Sequence, residues 1–404
     1  MDVSKRSGLS KESSLIPGVI KERHEDFVVE EIPAYEPGGE GDHVYFGVEK
    51  RGISTMRAVR KIGGALGVKS SGIGIAGMKD ARGVTRQMMS LEHVDPDRVL
   101  AIDIPGIRVL WVKRHRNKLK IGHLRGNRFV IRVRNTEPER IDRVRDMLAE
   151  LHERGVPNYF GPQRFGLRGD TWEVGRALMQ GDFEKAVKLV CGSPRSSDSG
   201  EELDARKLFE DGKLEESAAA WPRGLSDNAR LCMTLSRRPD EPRRAIMASD
   251  KRMLRLYASA YQSYLFNHIV AERKERLNVM EVGDLAWKHD KGVVFTVDDE
   301  DAENLRASRL EISPSGPMYG KKMSWPSGEP GAREKALLAR EGLSVEDFPG
   351  SGPLKCTGGR RPLRFIFTDP QAQAGEDEHG GYIEMAFTLP AGCYATVLLA
   401  EIFS

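Results

Sequence analysis

Gly77-Met78-Lys79-Asp80-Ala81-Arg82-Gly83-Val84-Thr85-Arg86-Gln87 is the stretch on which the reading of this chain turns. The apolar run Ile73 to Met78 predicts a buried strand, and an acid arrives abruptly where the run ends. Lys79, Arg82 and Arg86 surround that acid, and nearby positive charge favours the ionised form of a carboxylate. An ionised carboxylate on a rigid strand end is a candidate nucleophile. The competing reading is a solvated turn, because charged residues crowd protein surfaces.

Just upstream, Gly72-x-Gly74-x-x-Gly77 spells the dinucleotide-binding fingerprint. That fingerprint must open a helix after a strand. Here Ile73, Ile75 and Ala76 lie between the glycines and a polar loop follows, so the context argues against a nucleotide-dependent oxidoreductase. No Gly-x-x-x-x-Gly-Lys-Ser/Thr occurs, which removes the support for a nucleoside triphosphate site.

A chain of 404 residues is longer than one ordinary domain, and two is the natural expectation. Hydrophobic residues at 39% with 30% charged describe a globular protein rather than a disordered one. The net charge is only +3, but the cations are uneven: Lys113 to Arg134 is dense in them and almost free of acid. Asp298 to Asp301 and Glu376 to Glu378 are acidic patches. A local basic stripe fits a polyanionic partner even at near-zero total charge. Cys191, Cys232, Cys356 and Cys393 are far apart with no Cys-x-x-Cys, so neither a zinc site nor a disulfide framework is expected. Reduced thiols fit a cytoplasmic protein. The amino terminus lacks a signal-peptide apolar core, and no run of about 18 apolar residues predicts a membrane span.

Outward from the opening stretch, the first part of the chain mixes strands and helices. Asp26 to Glu31 and His43 to Lys50 predict strands on either side of the turn Pro37 to Asp42. Thr55 to Leu66 predicts a helix, and Phe129, Ile131 and Val133 alternate at strand spacing. Thr136 and Glu139 form a capping-box pattern ahead of a helical face at Ile141, Val144, Leu148 and Leu151, with Gly155 ending it. The middle is mainly helical, with one strong pattern at Met253, Leu254, Tyr257, Tyr261, Leu265 and Ile269. After a Gly/Pro loop, Leu363 to Phe367 and Tyr382 to Leu389 predict strands separated by an acidic turn, and Tyr394 to Ile402 a closing helix. Strand-rich ends around a helical middle point to one domain inserted in another. No internal repeat is seen.

Lys113 to Phe129 carries the cations Arg114, Arg116, Lys118, Lys120 and Arg128 beside Asn117, Asn127 and Phe129. A solvated charged face is the plain reading. The mixture also suits phosphate contacts next to base stacking, with Asn able to bond a base edge. His115 and His123 lack a third ligand nearby, so RNA contact or exposure is favoured over a metal. Asn158 to Gly166 packs aromatics and glycines into a turn suited to a hinge. On the strong helix only Gln262 and Asn267 look like polar groups that need partners.

Taken together, these segments resemble the TruD family of tRNA pseudouridine synthases. The matching pieces are Lys21 with Glu25-Asp26-Phe27-Val28-Val29-Glu30-Glu31, then Gly77 to Asp80 with Val84 to Gln87, then Gly126 to Phe129. Asn158 to Gly166, Ser259 to Asn267, Ser315 to Gly320 and Leu389 to Thr396 follow in order. The resemblance implies an α+β fold: a pseudouridine synthase core of mixed, mainly antiparallel sheet with flanking helices, carrying a large inserted α/β TRUD domain, with RNA in the cleft between. Residues 1–157 and 351–404 would form the core and 158–350 the insertion. Asp80 takes the position of the family's catalytic aspartate and Lys21 that of its basic partner. Phe27, Asn127 and Tyr394 match positions lining the uridine pocket, and Phe129 the aromatic that stacks on the target base. Lys79 and Thr85 flank the motif as further substrate contacts, with Thr85 and Asn127 toward the uracil edge. The chain departs from the pattern at His24, Pro162 and Ala400, none of which touches Asp80.

The activity implied is isomerisation of a uridine of tRNA, with uridine 13 as the family's site, by an aspartate-dependent route. Moving C1′ from N1 to C5 adds no atom and removes no electron, so no cofactor or metal is called for. No membrane and no obligate protein partner is expected. A noncatalytic RNA-binding module is the rival, as is a family member acting at another position. An acid among phosphate-binding cations argues against pure binding.

Overall fold

A computed structural model describes residues 15–404. The chain separates into two compact units: the middle, Pro157–Arg364, and an outer unit that runs to Val156 and resumes as Phe365–Ser404. The second passage falls later than the 350/351 boundary expected. The reason is that 351–364 packs with the middle unit. Gly359–Pro362 is a strand paired to Ile312–Met318, and Leu354, Cys356 and Leu363 lie in that unit's core.

The outer unit is built on an eight-stranded sheet. Its first six strands are β1 (Phe27–Pro33), β2 (His43–Arg51), β3 (Gly74–Ile75), β4 (Val84–Glu92), β5 (Ile107–His115) and β6 (Leu124–Val133). A hairpin from the far end of the sequence, Thr368–Asp377 and Gly380–Pro390, pairs to β6 through its second strand. The order across the sheet is then β6, β1, β4, β2, β5, with β3 on β4. Only β1 and β4 run parallel; the other pairings are antiparallel. The expected α+β fold with a mixed, mainly antiparallel sheet is the fold that forms.

One helix, α1 (Thr55–Leu66), covers the β2–β4 side. Its start is capped by Ser54, which accepts from the Arg57 amide at 3.4 Å, and its end by Gly67 at φ 73°, a left-handed position that glycine takes without a Cβ clash. Ala58, Val59, Ile62 and Leu66 recur at helical spacing and pack against Val44, Phe46, Val48, Met89 and Leu91, the alternate residues of β2 and β4. Burying each large apolar side chain is worth about 1.5–3 kcal/mol, so this layer holds α1 in place.

Five local expectations change. Ile73 to Met78 is not one strand: only Gly74–Ile75 pairs, and 76–83 is loop, with Met78 71% exposed. The long strand begins after the acid, at Val84. The Thr136/Glu139 capping box does not form; Pro138–Arg140 is a 3-10 turn leading directly into the helix Ile141–Arg154, whose N-terminus has no side-chain cap. Leu363 to Phe367 holds only a two-residue strand, and the acidic stretch before Gly380 is itself a strand. Its Asp377 receives both terminal nitrogens of the buried Arg134, at 2.8 and 2.9 Å, while Arg134 Nε donates to the buried Asp26 at 2.8 Å. The closing helix is short, Ala395–Leu399.

In the middle unit, the helix Lys251–Glu272 is buried nearly all round. Gln262 and Asn267, the two side-chain amides expected to need partners, have them. Gln262 donates to the Tyr319 carbonyl, and Asn267 receives the Phe160 amide at 2.8 Å and donates to its carbonyl at 3.0 Å. Trp172 stacks on Tyr264 at 3.7 Å. The unit's sheet runs Gly359–Pro362, Ile312–Met318, Leu285–Lys288, Val293–Thr296, all antiparallel. Asn158 ties the entering chain to the returning one, through its amide to Leu363 and its side chain to Pro362, both at 2.8 Å. Pro162 opens the 3-10 turn Pro162–Phe165, where its missing N–H costs nothing.

Ile62 is fully buried between α1 and the sheet. Ile62→Ala should destabilise the protein by about 2–5 kcal/mol, while Met56→Ala, on the exposed side of the same helix, should stay within about 0.5 kcal/mol. Denaturant unfolding checks both, and equal effects would refute this packing of α1.

Candidate active site in the outer unit

Strand register sets the site. Lys50 on β2 faces Thr85 on β4, Thr85 faces Val29 on β1, Val29 faces Phe129 on β6, and Phe129 faces Phe387 of the hairpin. Directly opposed residues share a face, so these five form one row. The next row brings Glu31, Asn127 and Leu389 together. The residues between them in sequence, Arg86, Glu30 and Arg128, project to the other face.

Above this face runs the loop carrying Asp80, and four buried polar side chains hold it. Thr55, the first residue of α1, accepts from the Lys79 amide at 2.8 Å and donates to Gln87 at 2.9 Å. Gln87 in turn donates to the Gly77 carbonyl at 3.2 Å. Glu31 accepts from Lys79 Nζ at 2.7 Å and from the Met88 amide at 3.1 Å. Lys50 Nζ donates to the carbonyls of Ile53 at 2.7 Å, Asp80 at 3.1 Å and Lys79 at 3.5 Å. Burial, together with the Lys79 charge and despite the opposing pull of Asp80, pushes the Lys50 amine down to about 8.

The Asp80 side chain is half exposed, and Lys21 reaches it at 2.8 Å across 59 residues of sequence. Lys21 stands at φ 60°, a left-handed conformation uncommon outside glycine, and its Nζ lies 4.3 Å from the Phe27 ring centre. Such strain is of order 1–3 kcal/mol and persists where surrounding contacts over-determine it. Asp26, five residues on, supplies them by receiving Arg134 and the Arg23 amide. Beside Lys21 opens a cleft of about 720 Å³ lined by Arg23, His24, Arg51, Arg82 and Arg134 among others.

The structure divides the expected site residues. Lys21 and Asp80 meet. Thr85 Oγ1 and Asn127 Oδ1 are buried without a hydrogen-bond partner among the described residues. Phe27 and Phe129 are buried, edge to face at 6.1 Å, with Phe387 tilted against Phe129 at 5.7 Å. Phe129 is therefore packed in the sheet face rather than standing free. Tyr394, just before the last helix, is 36% exposed. Lys79 pairs with the buried Glu31 at 2.7 Å, and this ion pair anchors the loop.

The basic stretch is not one stripe. Lys113 and Arg114 project to opposite faces of β5. Arg114 donates to the Gly41 carbonyl at 3.2 Å, Arg116 pairs with Glu40, and Lys118 donates to the Ser71 carbonyl at 3.0 Å. Lys120 and Arg128 are exposed. His115 and His123 are loop anchors: His123 Nδ1 meets the Tyr35 hydroxyl at 2.7 Å, and His115 stacks on Tyr35 and accepts from the Gly38 amide at 3.1 Å. Among the described residues no group of three His, Cys, Asp or Glu is placed to hold a metal ion.

Sequence reasoning missed Lys50, Thr55, Gln87 and the anchoring role of Glu31. One signal was present: Lys50 continues the inward alternation Val44, Phe46, Val48 and breaks its apolar pattern.

Comparison with known proteins bears on this geometry. The family model for tRNA pseudouridine synthase D (TruD) matches residues 7–402. The tRNA pseudouridine synthase D of Geobacter metallireducens is 46% identical over 385 residues, covering 95% of this chain and 94% of that protein. That of Geobacter sulfurreducens is 44% identical, with 95% and 93% covered. A crystal structure from Methanosarcina mazei carrying the TruD description aligns with a TM-score of 0.86 at 29% identity, over 99% of this chain and 96% of that one.

Thr55→Val removes one acceptor and one donor from beneath the loop while keeping the side chain's shape. It should cost about 1–3 kcal/mol, with the Lys79 amide left unpaired. Hydrogen exchange at that amide should accelerate well beyond the change in global stability; unaltered protection there would overturn the role given to Thr55.

Proposed function

This chain belongs to the tRNA pseudouridine synthase D family, and on that footing we propose that it isomerises one uridine of tRNA to pseudouridine, with Asp80 as the catalytic carboxylate. The observation that carries the reading is the Lys21–Asp80 pair, held at 2.8 Å by a lysine in a strained backbone conformation. A solvated turn has no need of such a pair.

The reaction breaks the bond between uracil N1 and ribose C1′, turns the base, and joins C5 to C1′. The C5 proton leaves to solvent and N1 takes one up, so atoms and electrons balance without a cofactor. The target base lies in stacked RNA and must first be flipped out, at a cost of a few kcal/mol. Asp80 serves by attacking C1′ or by taking a proton from the sugar; both routes need the same ionised carboxylate in the same place. Lys21, 2.8 Å away, aims it. The half-exposed Asp80 becomes dry only when substrate covers it, and Coulombic stabilisation strengthens on that closure. Thr85 and Asn127 are assigned to the uracil edge, since each holds an unpartnered buried oxygen suited to a base N–H or, for the hydroxyl, a base carbonyl. Phe27, Phe129 and Tyr394 are assigned to the base pocket, with Phe129 supporting the base from within the packed sheet face.

Uridine 13 is the position proposed, on the resemblance of the motifs. RNA backbone contact is proposed for Arg114, Arg116, Lys118, Lys120 and Arg128, with Lys120 and Arg128 the least committed to other partners. The unbridged thiols of Cys191, Cys232 and Cys356 support a reducing, cytoplasmic setting, and among the described residues no helix is long and apolar enough to cross a membrane.

Two outcomes are expected. Asp80→Asn should abolish tritium release from C5-labelled tRNA while tRNA binding stays within a few-fold of wild type, because Asn keeps the size and loses the charge. Near-normal turnover in that variant would refute the assignment. Wild-type protein that binds tRNA but never turns it over would leave the noncatalytic reading standing. Replacing Arg114, Arg116, Lys118 and Lys120 by Ala should weaken tRNA binding and flatten its log–log salt dependence by roughly 0.7–0.9 for each phosphate that is no longer neutralised. An unchanged slope would make the stretch a solvated face.

A further inference from the structure

Lys50 is the buried cation of this face that pairs with no carboxylate, and the reaction as described leaves it without a task. It is 1% exposed, and among the described residues it makes no ion pair with a carboxylate. A buried ammonium without such a partner costs stability, and a methionine of similar length would sit at this strand position more cheaply. Its presence there calls for another reason.

The geometry supplies one. The Lys50 ammonium has three N–H donors, and three carbonyls receive them: Ile53 at the entry to α1, and Lys79 and Asp80 in the loop. The match is one hydrogen to one carbonyl, so it holds only for the protonated amine; a neutral amine has two hydrogens and must release one oxygen. We propose that Lys50 is a positioning residue of Asp80: protonated, it clamps the Lys79–Asp80 backbone to the start of α1 and aims the carboxylate, and on losing its proton it gives up one of the three carbonyls, so that the aim of Asp80 loosens while Thr55, Gln87 and Glu31 still hold the loop. The inference rests on Asp80 being the catalytic carboxylate.

The groups facing Lys50 make it titrate within reach of physiological pH. Lys79 and Asp80 face it from the loop, the uncharged Thr85 from β4, and the Ile53 carbonyl from the turn before α1. Burial and Lys79 lower its affinity for the proton to about 8, with Asp80 acting the other way. The unfolded chain binds that proton more tightly, near the ordinary lysine value of about 10.4. Between those two values the unfolded state holds more protons, so fold stability from this group rises with pH. Loss of activity through Lys50 therefore comes without loss of folding, which separates it from alkaline denaturation.

The test is the pH profile of tritium release by the full-length protein, with thermal unfolding measured over the same range. Wild-type turnover should fall about tenfold per pH unit above a midpoint near 8, with no parallel drop in Tm. Lys50→Met should lower kcat about 100-fold, the effect of a reacting group misplaced by about an ångström, leave KM for tRNA within about twofold, and lack the alkaline limb. Lys50→Arg keeps its charge at high pH and should restore part of kcat, also without the limb. Wild-type kcat in Lys50→Met, or an alkaline limb persisting there at the same midpoint, overturns the proposal. Should both variants fail to fold, NMR of the wild-type protein with 13Cε-labelled lysine decides. One lysine titrating near 8 in step with turnover supports the clamp, and none titrating below about 9.5 refutes it. Failure of the underlying reading looks different: wild-type protein would release no tritium at any pH while the Lys50 titration remained.

Discussion

Irregular backbone set against a sheet survives only when its N–H and C=O groups find partners, and the Asp80 loop meets that requirement with buried side chains from several elements. Thr55 opens α1, Lys50 and Gln87 lie on adjacent strands, and Glu31 comes from β1. Each does two things at once, binding the loop and binding its own neighbour. The loop can then present an acid to solvent without being mobile itself. Everything proposed for the site depends on this: a carboxylate aimed to within about an ångström needs a fixed backbone before it needs a correct charge.

The lysines around Asp80 show how burial divides like residues into different tasks. Lys79 is adjacent in sequence, yet its ammonium turns inward to Glu31. Lys21, distant in sequence, is the one that meets the carboxylate. Lys50 lies below and touches only carbonyls. An ion pair with a fully buried glutamate leaves Lys79 little freedom, whereas the Lys21–Asp80 pair is open to solvent on the Asp80 side and can respond to a substrate. Charge counting along the chain treats these cations as equivalent; desolvation does not.

The closing hairpin explains why the far end of the chain matters to a site written near its beginning. Its second strand pairs with β6 along its length and lays Phe387 beside Phe129 and Leu389 beside Asn127. Asp377 on its first strand holds Arg134, which holds Asp26, which ends the turn after Lys21. The acidic stretch 376–378 reads as a solvated turn only while its partner Arg134, 243 residues away, is out of view.

Local order was legible in the sequence wherever hydrophobic periodicity or turn chemistry is strong. Thr55 to Leu66 reads as a helix and forms α1, His43 to Lys50 reads as a strand beside a Pro/Gly turn and lies in β2, and the recurring Met253, Leu254, Tyr257, Tyr261, Leu265 and Ile269 mark the buried helix Lys251–Glu272. Motif wording along almost the whole chain identified the family, and with it the pairing of Lys21 with Asp80. Tertiary structure alone decided the rest, because it depends on which groups water can reach. The run before Asp80 is too polar in its surroundings to stay a strand: Thr55 and Gln87 offer its backbone better partners than a ladder does. The basic stretch divides between two faces of a sheet and a tethered loop, since strand geometry sends neighbours in opposite directions. Lys50 becomes a clamp only when strand register places it under carbonyls that lie 29 and 30 residues away in sequence. Sequence specifies the donors and acceptors; the fold decides which of them lose water together, and that is what makes a bond of one pair and leaves another pair apart.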